Sequence, residues 1–223
     1  MTALEEHGAR PLAKQQRLVD QVTAYLREGI LGGELPAGTP LIQEELAEKI
    51  GVSRTPLREA FRILERDGLV RSSPRSNTVV VAEFSEDDVT ELYQIREVLD
   101  GLAARLAAQR RPADSDLVQL ARYVTQMANS IRPFDTPRYW EAHVAFHLGI
   151  VELSGNKRLR AQEPVFRISA QMLFGRLATN AERMERSTKE HQEIINAIAA
   201  GDGDRAEEIA RQHIRRALEA WER

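Results

Sequence analysis

Apolar positions fall into two textures along the chain. Up to residue 82 they come in short runs broken by glycine and proline, among them Gly29, Gly32, Gly33, Pro36, Gly38, Pro40, Gly51, Pro56, Gly68 and Pro74. Leu18, Val22, Tyr25 and Leu26 recur at helical spacing and predict a helix over 15–28. A second, short helix is predicted over 42–49. A third is predicted over 53–67, with Ser53 or Thr55 as N-cap and Pro56 in the first turn, where a missing N–H is harmless. Gly68 closes it. Within it Leu57, Ala60, Phe61 and Leu64 stand at i, i+3, i+4 and i+7 and form the buried face. Two short runs, 69–73 and the β-branched 78–81, flank a polar tip at 74–77, which is the pattern of a β-hairpin. Asn77 suits a positive φ at that tip.

Beyond residue 82 the periods lengthen. Ser85-Glu86-Asp87-Asp88 reads as a capping box ahead of an apolar period. Helical patterns then follow over 86–110, 113–130, 136–153, 157–179, 181–200 and 203–222, with Pro164 kinking or splitting the fourth. Asn156 follows Gly155 at a helix junction and reads as a turn or cap residue. β-Branched clusters are almost absent here. The expected fold is therefore mostly α. Residues 1–12 form a disordered tail, 13–82 a winged helix-turn-helix, and 83–223 an all-α bundle of six or seven helices.

Length and composition narrow the function. The chain has 223 residues, which fits two domains. It has no cysteine, which excludes disulfide frameworks, thiolate zinc sites and cysteine nucleophiles, and suits a reducing cytosol. The first ten residues carry two glutamates and no apolar core, unlike a signal peptide. No apolar run reaches the roughly 18–20 residues that span a bilayer. A cytoplasmic protein without membrane contact is expected. Net charge is −3, but residues 52–82 hold six arginines against Glu59, Glu65 and Asp67. A local basic patch on an acidic protein is an electrostatic footprint for nucleic acid.

Arg54, Arg58, Arg62 and Arg66 run at i+4 spacing along the third helix, away from its apolar face. Guanidinium forks near a helix start can bond guanine edges or phosphates in a major groove. The tip residues Arg75, Ser76 and Asn77 offer a cation and small polar groups to the backbone or minor groove. The stretches Ile30-Leu31-Gly32-Gly33-Glu34-Leu35-Pro36-Ala37-Gly38, Leu46-Ala47-Glu48-Lys49-Ile50-Gly51-Val52-Ser53-Arg54-Thr55-Pro56-Leu57-Arg58-Glu59-Ala60-Phe61 and Leu64-Glu65-Arg66-Asp67-Gly68-Leu69-Val70 closely resemble the GntR family of bacterial transcription regulators. The resemblance implies that Arg54, Thr55 and Arg58 contact operator DNA and that the wing tip reaches the minor groove. Two positions depart from the family pattern. Asn77 stands where the wing commonly has a glycine, and Glu44 where some members place a basic DNA contact.

Four of the five histidines, His143, His147, His191 and His213, lie in the helical part. Each sits on an apolar stripe: His143 and His147 with Trp140, Val144, Leu148 and Val151, His191 with Ile194, Ile195 and Ile198, and His213 with Ala206, Ile209, Ala210, Ile214 and Ala217. Burying four uncompensated imidazoles is costly, and a shared metal ion satisfies all of them. The helical part also resembles the FCD type, the FadR-like branch of the GntR regulators. The resemblance rests on Arg96-Glu97-Val98-Leu99-Asp100, on Phe146-His147 followed by Ser154-Gly155-Asn156, on His191 followed by Ala197-Ile198 and Gly201-Asp202, and on His213. It implies a divalent ion on His147, His191 and His213, with His143 standing where a fourth ligand, usually aspartate, is found. An all-nitrogen site favours Zn²⁺, with Ni²⁺ or Co²⁺ as alternatives, over Mg²⁺ or Mn²⁺. The resemblance also implies that Arg96 meets the carboxylate of an effector. The plain alternative for Arg96 is an i, i+4 ion pair with Asp100 on the surface.

The expected function is thus a homodimeric, operator-binding transcription regulator whose helical domain binds a divalent metal and a small organic acid. Two alternatives stand beside it. In one the metal is itself the signal, and in the other the bundle is a metalloenzyme. Against the enzyme, His143-Val144-Ala145-Phe146-His147 lacks the catalytic glutamate of the H-E-x-x-H peptidase motif.

Overall fold

The amphipathic stretch near the N-terminus folds as α1 (Arg10–Leu31), longer at both ends than its periodicity implies. Arg10–Leu12 of the expected tail is thus helical. The buried face is Val19, Val22, Leu26 and Ile30, whereas Leu18 and Tyr25 are exposed. Steps of three, four and four track the 3.6-residue turn. Residues 18 and 25 fall on the flank of that stripe, so part of the expected face is corrected. The computed structural model describes residues 10–31, 33–72, 78–177 and 180–221. The chain divides into two units, Met1–Glu83 and Phe84–Arg223.

In the first unit α1 is followed by β1 (Pro40–Leu41), α2 (Gln43–Ile50), α3 (Arg54–Arg66), β2 (Val70–Ser72) and β3 (Val79–Val81). Gly51 ends α2 at φ 70°, a left-handed conformation that needs no Cβ, and this turns the chain into α3. Ser53 precedes α3 in extended conformation, without a side-chain capping bond, and Thr55 lies inside the helix. Leu57, Ala60, Phe61 and Leu64 are buried, as the spacing requires. The strands form one antiparallel sheet in the order β1-β3-β2, with Pro40 opposite Val80 and Ser72 opposite Val79. Strand β1 gave no sequence signal, because two residues beginning with proline carry no alternation. As an edge strand it needs few donors, and its proline is tolerated there. The wing tip at 74–77 lies outside the described residues.

The second unit has seven helices among the described residues. They are α4 (Glu86–Arg110), α5 (Asp114–Asn129), α6 (Thr136–Leu153), α7 (Lys157–Arg160), α8 (Glu163–Leu177), α9 (Ala181–Ala200) and α10 (Gly203–Trp221). The single pattern over 157–179 is split. Pro164 sits in the first turn of α8, the one place in a helix where its missing N–H costs nothing. Asn156 caps α7, its Oδ1 accepting from the N–H groups of Arg158 and Leu159. Helix α10 packs along α4. A Cβ on Gly101 would stand 2.5 Å from Arg211 Cγ, so only glycine permits this approach. Phe146, Phe166, Leu120, Met127, Ile194 and Ile198 are fully enclosed in the core.

The Ser85 capping box is formed as read. Ser85 Oγ accepts from Asp88 N–H at 3.1 Å, and Ser85 N–H donates to Asp88 Oδ2 at 2.7 Å. Ser85→Ala should cost about 1 kcal/mol of stability in denaturant unfolding followed by far-UV circular dichroism, and Ser85→Thr much less. An unchanged midpoint for the alanine variant would show that the box contributes nothing.

Candidate metal centre and nucleic-acid interface

Helix α3 presents Arg54, Thr55 and Arg58 to solvent at i, i+1 and i+4, opposite its buried stripe. Arg58 has no ion-pair partner among the described residues. Arg54 is ion-paired with Glu44 of α2, and both side chains are largely exposed. Arg62 pairs with Glu59 at 3.0 Å. Glu65, near the end of α3, accepts from Ser72 N–H at 2.9 Å and Ser72 Oγ at 2.7 Å, which ties the hairpin to the helix. The face therefore offers guanidinium forks at a helix N-terminus, held on a rigid frame. Arg75, Ser76 and Asn77 lie outside the described residues.

In the second unit His143, His147, His191 and His213 are all buried, on α6, α9 and α10. One nitrogen from each can be chosen so that all four lie within 4.8 Å of one another. The Nε2 atoms of His191 and His213 are 3.1 Å apart. Two nitrogens held at 2.0–2.1 Å from one zinc ion at a tetrahedral angle stand about 3.3 Å apart. His143 Nδ1, His147 Nε2 and His191 Nδ1 are buried with no hydrogen-bond partner. An unsatisfied buried polar atom costs roughly 1–3 kcal/mol. A divalent cation fits this donor set, since each neutral imidazole has one lone pair to give and the fold leaves His143 Nδ1 and His147 Nε2 unanswered among the described residues.

Two carboxylates fix which nitrogens carry protons. His147 Nδ1 lies 2.6 Å from Asp100 Oδ1, and His213 Nδ1 lies 2.8 Å from Glu190 Oε2. In each ring the Nδ1–H therefore donates to the carboxylate and Nε2 keeps its lone pair. Neither Asp100 nor Glu190 was singled out as a partner of the histidines. Both were findable. Asp100 lies i+4 from Arg96 and Glu190 lies i−4 from Ile194, each on the inner stripe of its helix.

Arg96 is enclosed, at 1% exposure. It does pair with Asp100, but inside the bundle and not on the surface. Its Nη1 donates to Phe166 O at 3.2 Å and to Ser169 Oγ, and its guanidinium lies 4.7 Å from the Phe166 ring centroid. Its Nη2 is buried without a partner. Asp100 thus stands between a guanidinium and a histidine. Burial pushes its carboxyl up, but the charges and hydrogen bonds of Arg96 and His147 win and hold it at about 2. Burial pushes His147 down to about 4 against the pull of Asp100. Burial, and then the neighbouring imidazoles, hold His143 and His191 well below the ordinary imidazole value. The rings are therefore neutral at pH 7, the form that ligates cations.

A pH dependence of stability follows. The unfolded chain takes up protons on these imidazoles from about pH 6.5 downward, while the folded chain refuses them until far lower pH. Their contribution is complete above about 6.5 and is lost as pH falls below it. The slope is about 1.4 kcal/mol per pH unit for each fully depressed histidine. Denaturant unfolding of chelator-treated protein at pH 7.5, 6.5 and 5.5 should show this loss, and a flat profile would contradict the neutral cluster.

Comparison with known proteins agrees with this architecture. Residues 18–80 match the bacterial regulatory proteins of the gntR family, and residues 91–216 match the FCD domain. The chain is 29% identical over 197 residues to a probable D-xylose utilization operon transcriptional repressor of Paenarthrobacter nicotinovorans, covering 88% of this chain and 85% of that one. It is 28% identical over 192 residues to the gluconate operon transcriptional repressor of Bacillus licheniformis, covering 82% and 76%. In fold it is similar to Escherichia coli McbR/YncC, with a TM-score of 0.77 at 22% identity over 92% of this chain and 99% of that one. A putative GntR transcriptional regulator of Rhodococcus sp. RHA1 gives a TM-score of 0.75 at 24% identity, over 91% and 96%. These relatives are regulators, which sets the metalloenzyme alternative aside. With both units matched, the chain belongs to the GntR family of bacterial regulators, in the branch that carries an FCD domain, and is a DNA-binding transcription regulator.

Proposed function

We propose that this regulator binds its operator as a homodimer and responds to a small carboxylate recognised beside a divalent cation in the helical unit. The observation that carries the reading is the set of buried, unpartnered nitrogens on His143, His147 and His191, next to the facing Nε2 atoms of His191 and His213. His147, His191 and His213 would hold the cation, with His143 as fourth donor. Nitrogen donors favour Zn²⁺, Ni²⁺ or Co²⁺. When bound, the cation supplies positive charge and a coordination position for an anionic oxygen. Arg96 Nη2, buried and unanswered, adds a donor for the same anion. One relative is a gluconate operon repressor, and gluconate is a carboxylate. A closed set of four nitrogens also accommodates the second reading, in which the metal alone is the signal.

On the DNA side, Arg54, Thr55 and Arg58 enter the major groove and Arg75, Ser76 and Asn77 reach the backbone or minor groove. Arg58→Ala leaves the apolar stripe of α3 intact. It should cost roughly 1–3 kcal/mol of discrimination at one operator position in anisotropy titrations. Arg75→Ala should weaken all sequences alike and lower the salt slope by about one. Unchanged affinity and specificity in the Arg58 variant would remove that residue from the interface.

The metal and effector roles are tested together. Protein purified without a histidine tag should carry about one divalent ion per chain. The His191→Ala, His213→Ala double variant should carry none, and stoichiometric metal retained there would move the site elsewhere. Operator binding is then measured on stripped protein, on protein with Zn²⁺ alone, and on protein with Zn²⁺ plus a panel of acids, sugars and amines. A response to a carboxylate that needs the metal supports the proposal. A response to Zn²⁺ alone supports the second reading, and a metal-independent response to a neutral sugar overturns both.

A further inference from the structure

Three helices carry a stripe that leaves the imidazole cluster in the same direction. On α4 it runs Asp100, Arg96, Tyr93, on α6 His147, His143, Tyr139, and on α9 His191, Ser187, Arg183. The spacings of three and four residues keep each stripe on one face. Cross-links hold the stripes level. Asp100 bonds His147, the rings of Tyr139 and His143 stack with centroids 6.2 Å apart, and Ser187 hydrogen-bonds the Tyr139 hydroxyl. Tyr93 hydroxyl donates to Ser169 O at 2.8 Å, closing the α8 side. Arg183 thus stands two turns beyond His191. Its charge is felt by Tyr93, Tyr139 and His143, so it stands on the side of α9 that meets α4 and α6.

Arg183 is unlike the other enclosed arginines. Arg27, Arg96, Arg105, Arg167 and Arg211 are buried or half-buried, and each holds a carboxylate. Arg183 is half-buried and has no ion-pair partner among the described residues. Glu190 favours its charge from a distance without forming an ion pair, and taking a guanidinium partly out of water without a contacting anion is costly, so the position calls for one that the described residues do not supply. Nearer the imidazoles, Arg96 is 1% exposed and its Nη2 is also unanswered among the described residues. Arg96 Nη2 and the Arg183 guanidinium, separated along the helices and both without an acceptor among the described residues, match a ligand with an acid group at each end.

We propose that the effector is a dicarboxylate, with one acid group at Arg96 Nη2 beside the imidazoles and the other at Arg183. This rests on the carboxylate reading above and narrows it, naming Arg183 as the residue that selects two acid groups over one. The eight residues from Arg183 to His191 rise about 12 Å along α9, and Arg96 stands four residues, about 6 Å, from Asp100 in the same direction, which leaves about 6 Å between the levels of the two arginines, the span of a short aliphatic diacid.

Calorimetry on the metal-loaded full chain tests the proposal, using succinate, glutarate and adipate against butyrate, valerate and hexanoate. At least one diacid should bind tenfold or more tightly than the monoacid of the same length. Arg183→Gln should abolish that preference while leaving monoacid affinity and metal content within about twofold, and Arg183→Lys should keep part of it. Equal binding of diacids and monoacids by the unmodified protein, or a preference that survives Arg183→Gln, overturns the proposal while sparing the carboxylate reading. Binding of none of the six acids removes that reading and this inference with it.

Discussion

Asp100 answers two groups at once, Arg96 through Oδ2 and His147 through Oδ1, and the interior of the helical unit depends on that double duty. A guanidinium and an imidazole in an apolar bundle would each be costly alone. The shared carboxylate neutralises the first and fixes the tautomer of the second. It also fixes position. Arg96 is drawn onto the Phe166 ring and the Ser169 hydroxyl, so α4 and α8 are held together by a polar contact inside an otherwise apolar core. Glu190 does the corresponding work on the other side, between His213 and Arg216. Each carboxylate is balanced by an arginine, and burial keeps His143, His147 and His191 neutral.

Much of this could be read from the residues in order. The stripes on α3, α6, α9 and α10 are long and regular, and their periodicity placed Leu57, His143, His147, His191 and His213 inside, where they are. What was missed depends on tertiary contact. Whether Asp100 pairs with Arg96 on the surface or in the interior cannot be decided by i, i+4 spacing alone. It is decided by α8, which covers the pair with Phe166 and Ser169 from 70 residues away. Strand β1 owes its existence to a partner forty residues later, Val79–Val80, and not to its own two residues. The buried face of α1 was partly misread because Leu18 and Tyr25 are as apolar as the residues that pack. Only the neighbours distinguish the centre of a stripe from its flank.

The DNA-binding unit shows a milder version of the same balance. Glu44 pairs with Arg54 in a solvent-exposed contact, and such pairs are weak, commonly below about 1 kcal/mol. A phosphate or guanine edge can displace that carboxylate readily. The pair therefore holds the fork of Arg54 near the start of α3 without removing it from use. It also places a negative charge where a basic residue would otherwise add indiscriminate attraction to DNA. That trades non-specific affinity for dependence on base contacts, since phosphate attraction carries no sequence information.

Charge bookkeeping in the helical unit links the cation to the anion. Arg96 is offset by Asp100 and Arg216 by Glu190, and imidazoles carry no negative charge to offer a cation placed among them. Its double charge would be left over in a poorly polarisable interior, where an uncompensated charge is unfavourable. Nothing described in the fold supplies the missing anion. Arg183, half-buried and without an ion pair among the described residues, adds to the surplus. Cation and acid ligand thus each lower the cost of the other. By linkage the effect is mutual, so whatever the acid gains from the cation, the cation gains from the acid. On the proposed reading, the domain would respond to the two together more strongly than to either alone. Its selectivity for anions would then be set by the positive charges left unanswered among the described residues, more than by the shape of its apolar wall.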